Sequence, residues 1–240
     1  MKQHAHAPRT PVLLRAYVTT AILAALGLTL FLVPGGLGGK PLTLAVMITM
    51  ATLAGARPVR IPRMRHEITA THPFIFATLV VLGPLASVLV AISGVVGAAL
   101  GRRGRLPSPT RFGFNLAAVT LSTLAAGWVF RLTGGIAGLA LVALMVPLVA
   151  ATTAYFLANT GLVAIAISIE KSMPFFATWR NSFLYTLVSY FSGMTLAVAM
   201  LAVLDVLLPW GLLLAATLCS LMVMYYRAHA WNVQAEANSQ

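Results

Sequence analysis

The chain has 240 residues, 60% of them apolar and 8% charged, with a formal net charge of +12 and a single cysteine. Globular domains carry about 25% charged and 45–50% apolar residues, so a soluble fold is excluded. The charges leave seven charge-free stretches, 16–39, 41–56, 68–101, 112–130, 132–169, 181–204 and 206–226, which together hold 176 residues. This pattern predicts an all-α fold: a polytopic transmembrane helical bundle of six to eight helical segments. The whole chain, 1–240, reads as a single integral membrane domain with cytoplasmic tails at 1–11 and 229–240.

The first apolar run, Ala16 to Val33, ends in Pro34-Gly35-Gly36 without a small-x-small cleavage pattern. It therefore reads as a first transmembrane helix rather than a signal peptide. A helix needs about 20 residues to cross about 30 Å of hydrocarbon, and 16–39, 112–130, 181–204 and 206–226 each fit one crossing. Stretch 41–56 is short, so its helix is expected to borrow apolar length around Arg57 or to sit where the bilayer thins. Stretches 68–101 and 132–169 would reach about 51 Å and about 57 Å as helices, too long for one span. Each holds a proline well inside, Gly83-Pro84 and Pro147. Proline removes a backbone hydrogen bond and kinks or ends a helix, so broken or short helices are expected at both places.

Charge position orients the spans. The loops 57–67 (Arg57, Arg60, Arg63, Arg65) and 102–111 (Arg102, Arg103, Arg105, Arg111) are both strongly basic and should share the cytoplasmic side. Stretch 68–101 must then return to the side it left, as a hairpin or a re-entrant pair broken at Gly83-Pro84. Stretch 112–130 crosses outward to Arg131, and 132–169 returns as a short broken piece followed by a full span through Tyr155 and Asn159. Asp205 lies outside and Arg227 inside. In this topology fourteen of the sixteen Lys and Arg residues are cytoplasmic, Lys40 and Arg131 being the exceptions. The expected location is a bacterial cytoplasmic (inner) membrane, multi-pass, with both termini in the cytoplasm. The +12 then marks a cytoplasmic face on a lipid bilayer, not a nucleic-acid surface. Gly94, Gly97 and Gly101 suit close helix packing. A weak echo between Gly83-Pro84-Leu85-Ala86 and Val146-Pro147-Leu148-Val149 suggests paired broken segments, a pattern that can mark a transporter site.

An ionisable residue inside the membrane is a functional hypothesis by default, and no Asp, Glu, Lys or Arg lies near the centre of a predicted span. There is no HExxH, no paired aspartate and no phosphate loop. No catalytic residue, metal or cofactor is expected, and the chain is not read as an enzyme. His4, His6, His66, His72 and His229 are all placed in tails or cytoplasmic loops, and Cys219 in an apolar run.

Uncharged polarity at depth remains. Asn115 opens one helix; Tyr155 and Asn159 cluster with Thr152, Thr153 and Thr160 in another; Ser189 and Tyr190, with Ser192 and Thr195, line a third. Asparagine in hydrocarbon needs a partner, so Asn115 and Asn159 should point inward. Two readings stand. The polar groups form interhelical hydrogen bonds worth roughly 0.6 to 2 kcal/mol each, or Asn115, Tyr155, Asn159, Ser189 and Tyr190 line a pocket for a small molecule or lipid headgroup. The segment Glu170 to Asn181 is amphipathic and is expected along the cytoplasmic interface, where Phe175, Phe176, Trp179 and Arg180 anchor it or relay a membrane event.

The order of these features carries a resemblance. A basic loop is followed by a helix broken at Gly83-Pro84, then Arg111-Phe112-Gly113-Phe114-Asn115 opening a helix that ends in Gly134-Gly135. Tyr155-Phe156-Leu157-Ala158-Asn159 and an interfacial Phe175-to-Trp179 segment complete it. Over roughly residues 40–228 this resembles a family of bacterial multi-span sensor modules that typically stand ahead of GGDEF or HD-GYP cyclic-di-GMP domains. It is also similar to the membrane-embedded substrate-binding (S) components of energy-coupling-factor vitamin transporters. The resemblance implies that Asn115 and Asn159 face the bundle interior. The sequence ends at Gln240, about a dozen residues past the last predicted helix, so the expectation is a stand-alone relative or one whose output belongs to another protein, without cyclic-di-GMP turnover of its own. The function expected is a non-enzymatic membrane module that binds a small or lipidic ligand, for sensing or for hand-over to a cytoplasmic or membrane partner protein. The alternatives are a stand-alone transporter or lipid flippase, and a membrane scaffold or assembly protein.

Overall fold

Charge-free apolar chain can satisfy its backbone polar groups in hydrocarbon only by forming helices or closed barrels, and here it forms helices. The structure, a computed structural model, describes residues 10–32, 36, 39–57, 59–60, 67–102, 107–206, 217, 220 and 224. Among the described residues eight α-helices follow in order: α1 (Thr10–Leu32), α2 (Pro41–Gly55), α3 (His72–Leu82), α4 (Pro84–Gly101), α5 (Pro109–Leu132), α6 (Leu141–Lys171), α7 (Phe175–Phe183) and α8 (Leu187–Val206). Between α2 and α3 a two-residue antiparallel pair, β1 (Val59–Arg60) with β2 (Glu67–Ile68), closes the base of the first basic loop. The helices α1, α4, α5 and α6 are long and apolar enough to cross a membrane. The pair α7–α8, bent by 54°, makes a fifth if counted as one span. The predicted span 206–226 lies outside the described residues apart from Val206, Thr217, Ser220 and Met224.

Proline starts helices here more than it breaks them. The helices α2, α3, α4 and α5 each carry proline in the first two positions, where the missing N–H would have had no intrahelical partner. The break at Gly83-Pro84 is real: Gly83 adopts φ 88°, a region open to glycine but strained for other residues, and Pro84 then opens α4. The two helices fold back on each other, and the buried Ser87 hydroxyl donates to the Ile75 carbonyl at 2.7 Å.

At Pro147 the expectation fails. The helix α6 runs unbroken through it for 31 residues, about 46 Å. The chain there has no glycine turn to exploit, and a proline seven residues into a helix removes one bond, to the Ala143 carbonyl, which transmembrane helices tolerate. The short broken piece expected before α6 is instead a loop over 133–140, with Gly134 and Gly138 at positive φ. The Gly83-Pro84 and Val146-Pro147 echo is therefore not a structural repeat. Nor does α2 extend past Arg57; it ends at Gly55.

The helices α2 and α4 run side by side in parallel. The Ser93 hydroxyl reaches the Ile48 carbonyl at 3.3 Å, Gly97 lies against the Thr52 backbone, and Gly101 lies against the Ala56 backbone. All three pairs share one offset of 45 residues, which only parallel helices can maintain. Glycine permits this approach because a Cβ at Gly97 or Gly101 would run into the facing backbone. Both helices therefore end on the same side, and the two basic loops that follow them leave from one end of the bundle.

The main core gathers Met47, Phe74, Phe76, Leu79, Leu148, Tyr155 and Met200 from α2, α3, α6 and α8. A smaller cluster seats α1 against α5 and α6 through Val18, Ala21, Ala25, Phe114 and Ala117. The Tyr17 hydroxyl joins it by donating to the Leu162 carbonyl at 2.9 Å. Exposed Leu23, Leu30, Phe31, Val142 and Val146 face outward at no hydrophobic penalty, since lipid is as apolar as they are.

Candidate functional site

The helices α5 and α6 are joined at one end by the 133–140 loop. At the other end Arg111, at the start of α5, meets Glu170, near the end of α6, at 3.1 Å. They are thus antiparallel, which brings Asn115 near the C-terminal half of α6. On α6, Tyr155, Asn159 and Val163 follow at i, i+4 and i+8 along one face. The start of α3, the glycine-bearing stretch of α4 and the start of α8 complete the walls. Together they enclose a cavity of about 210 Å³, at the end of the bundle from which the basic loops leave.

Asn115, Tyr155, Asn159, Ser189 and Tyr190 all line this cavity. Tyr155 is buried, and Asn159 follows it one turn later on α6. On α5 the Thr123 hydroxyl donates to the Val119 carbonyl at 2.7 Å. Asn159 is half-buried, as an inward-facing residue should be. Asn115 is exposed at the cavity rim rather than pointing into the bundle, because the antiparallel packing places it only about one helical turn from the exposed Arg111–Glu170 pair. Ser189 is 5% exposed, and its hydroxyl has no hydrogen-bond partner.

Sequence reasoning missed His72. It is not a loop residue but the first residue of α3. Its ring lies 4.2 Å from that of Tyr190 and 5.8 Å, edge-on, from that of Tyr155. Gly193 of α8 makes room for it: a Cβ there would stand 2.6 Å from the His72 Cβ. Thr71-His72-Pro73 carried the signal, a capping-type residue followed by proline in the first turn. The lining also includes Thr69, Thr71 and Arg102, so it is not confined to uncharged groups. His4, His6, His66 and His229 lie outside the described residues.

The four interfacial residues separate. Trp179 turns inward: its indole N–H donates to the Thr160 hydroxyl at 2.9 Å, and that hydroxyl donates to the Phe156 carbonyl at 2.6 Å. Phe175, Phe176 and Arg180 are exposed. A run of ring contacts connects the cavity to α7, from Tyr190 to Phe156 (5.3 Å), Phe156 to Trp179 (6.0 Å) and Trp179 to Phe176 (6.3 Å). Chemically, the site offers hydroxyl, amide and imidazole hydrogen-bonding groups against an aromatic floor.

Comparison with curated proteins and with solved structures finds no match. The MASE9 family, a membrane-associated sensor domain family, matches residues 59–229. That span takes in most of the first basic loop, the α3–α4 hairpin and every cavity residue named above, and the chain belongs to this family.

Proposed function

We propose that this chain is a sensing module of a bacterial inner membrane that binds a small or lipidic ligand in the cavity between α3, α4, α5, α6 and α8. It has no catalysis of its own and passes the bound state to a partner protein. The observation that carries the reading is convergence: five polar residues from three separate helices share one cavity. Of these, Asn115 stands exposed at the rim of the cavity rather than buried between helices. The route out is the ring series from Tyr190 through Phe156 to Trp179, which joins the cavity wall to α7. The positive-inside rule turns the basic-loop end, and hence the cavity mouth, toward the cytoplasm.

The test is thermal stability of the purified chain in detergent against a panel of soluble metabolites and single phospholipid species. At least one should raise the melting temperature by several degrees, and Asn159→Ala and Asn115→Ala should reduce that rise while the protein stays folded. Undiminished stabilisation of both variants by the same compound removes the cavity as the site. A panel without effect removes the ligand reading for those classes.

A further inference from the structure

We propose that a second cavity, at the end of the bundle opposite the basic loops, binds one anionic phospholipid, with its phosphate at Lys40 and an acyl chain inside. The start of α2, the end of α3, the 133–140 loop, the start of α6 and the end of α8 enclose about 430 Å³. Ligand sites usually hold about 300–1,000 Å³. Val80, Leu144 and Leu201 are buried in its wall, and Val81, Leu139 and Leu141 line it as well. An apolar cavity stays dry, and an empty one forfeits dispersion contacts along its lining. A methylene chain restores those contacts and carries no polar group that would need a partner.

The surroundings name the occupant. Leu139 in the lining is 37% exposed, and Leu42 and Val142, each next to a lining residue, are 77% and 86% exposed. Apolar side chains this exposed in a membrane bundle face lipid, so the occupant enters from the bilayer. Among the described residues Lys40 is the one charged group in the lining, and no aspartate or glutamate joins it. Lys40 is exposed and stands immediately before α2, where a span meets the headgroups. A lysine there keeps its ammonium at the interface and attracts an anionic headgroup. A choline headgroup would bring a second positive charge beside it, whereas phosphatidylglycerol brings none, so charge complementarity selects an anionic lipid.

The experiment uses the full chain in vesicles of equal parts phosphatidylglycerol and phosphatidylcholine. The photoreactive p-benzoylphenylalanine replaces Val81 or, on the exposed loop, Ala137, both in the cavity lining. As a control it replaces Val146, which is 71% exposed on α6 and reports bulk lipid. Mass spectrometry after illumination reads which lipid is attached. At either cavity position phosphatidylglycerol adducts should exceed phosphatidylcholine adducts about fivefold, the effect of one basic residue near a membrane surface; at Val146 the two should be equal. Lys40→Gln should bring the cavity ratio to the bulk value. Arg131→Gln, exposed near the end of α5 but outside the lining, should leave it unchanged. A cavity ratio equal to that at Val146 overturns the proposal, as does one that Arg131→Gln lowers as much as Lys40→Gln. Adducts to this chain's own peptides or to a second copy in place of lipid also overturn it, as does the absence of adducts at Val81 and Ala137 while Val146 reacts.

Discussion

Helix α7 is nine residues long and leaves Phe175 and Phe176 exposed, so its attachment to the bundle rests on few contacts, and Trp179 makes the best-defined ones. Its indole N–H bonds Thr160, which is 2% exposed, and its ring lies 6.0 Å from Phe156 and 6.3 Å from Phe176. Trp179→Phe keeps a ring in place and removes the hydrogen bond, for a net loss of about 1 kcal/mol. That multiplies the open population of α7 by about five, since about 1.4 kcal/mol is tenfold. Trp179→Ala also removes the ring and should cost about 3 kcal/mol or more, over a hundredfold. Amide hydrogen exchange across Phe175–Phe183 reads this directly, with the core of α5 as internal reference. Thr160→Val should give a similar acceleration, and the double variant little beyond it, because both substitutions remove one shared bond. Unchanged exchange in α7 with Trp179→Phe, or equal acceleration in α5, would refute the docking of α7 through this residue.

Gly97→Ala should destabilise the protein by about 1–3 kcal/mol, because the new methyl meets the Thr52 backbone and α2 must move away. Gly161→Ala on α6, where a Cβ meets nothing within 4 Å, should be neutral or stabilising by up to about 1 kcal/mol. Denaturation midpoints in mixed detergent compare them, and equal losses would contradict a close α2–α4 seam. With Cys219 replaced by serine, cysteines at Arg57 and Arg102 should react with an impermeant maleimide from the same side of the membrane, and one at Ile136 from the other. Labelling of the first two from opposite sides would break the α3–α4 hairpin.

Much of the architecture is legible in the residues themselves. Run lengths, the glycine ahead of Pro84 and the arginines of the two basic loops predict a bundle, a break and a return to one side. Each of these depends on local chemistry: hydrocarbon thickness, a backbone dihedral, the placement of positive charge. The glycines of α4 likewise announce a close seam, although the facing helix is not among the things they name. Pro147 misleads because a proline's effect depends on what precedes it and on whether neighbouring helices support the chain beyond it.

The cavity required the tertiary structure. Asn115, Tyr155 and Ser189 lie on three helices, and their meeting depends on how each helix is rotated about its axis. In water an apolar stripe would fix that rotation, but in lipid both faces of a helix can be apolar, so small-residue contacts and hydrogen bonds choose it. The same physics hid His72, whose place beside Tyr190 follows from Gly193 on a helix more than a hundred residues away. Sequence alone determined that this chain lies in a membrane and how its hairpin turns; only helix packing decided which polar groups face one another.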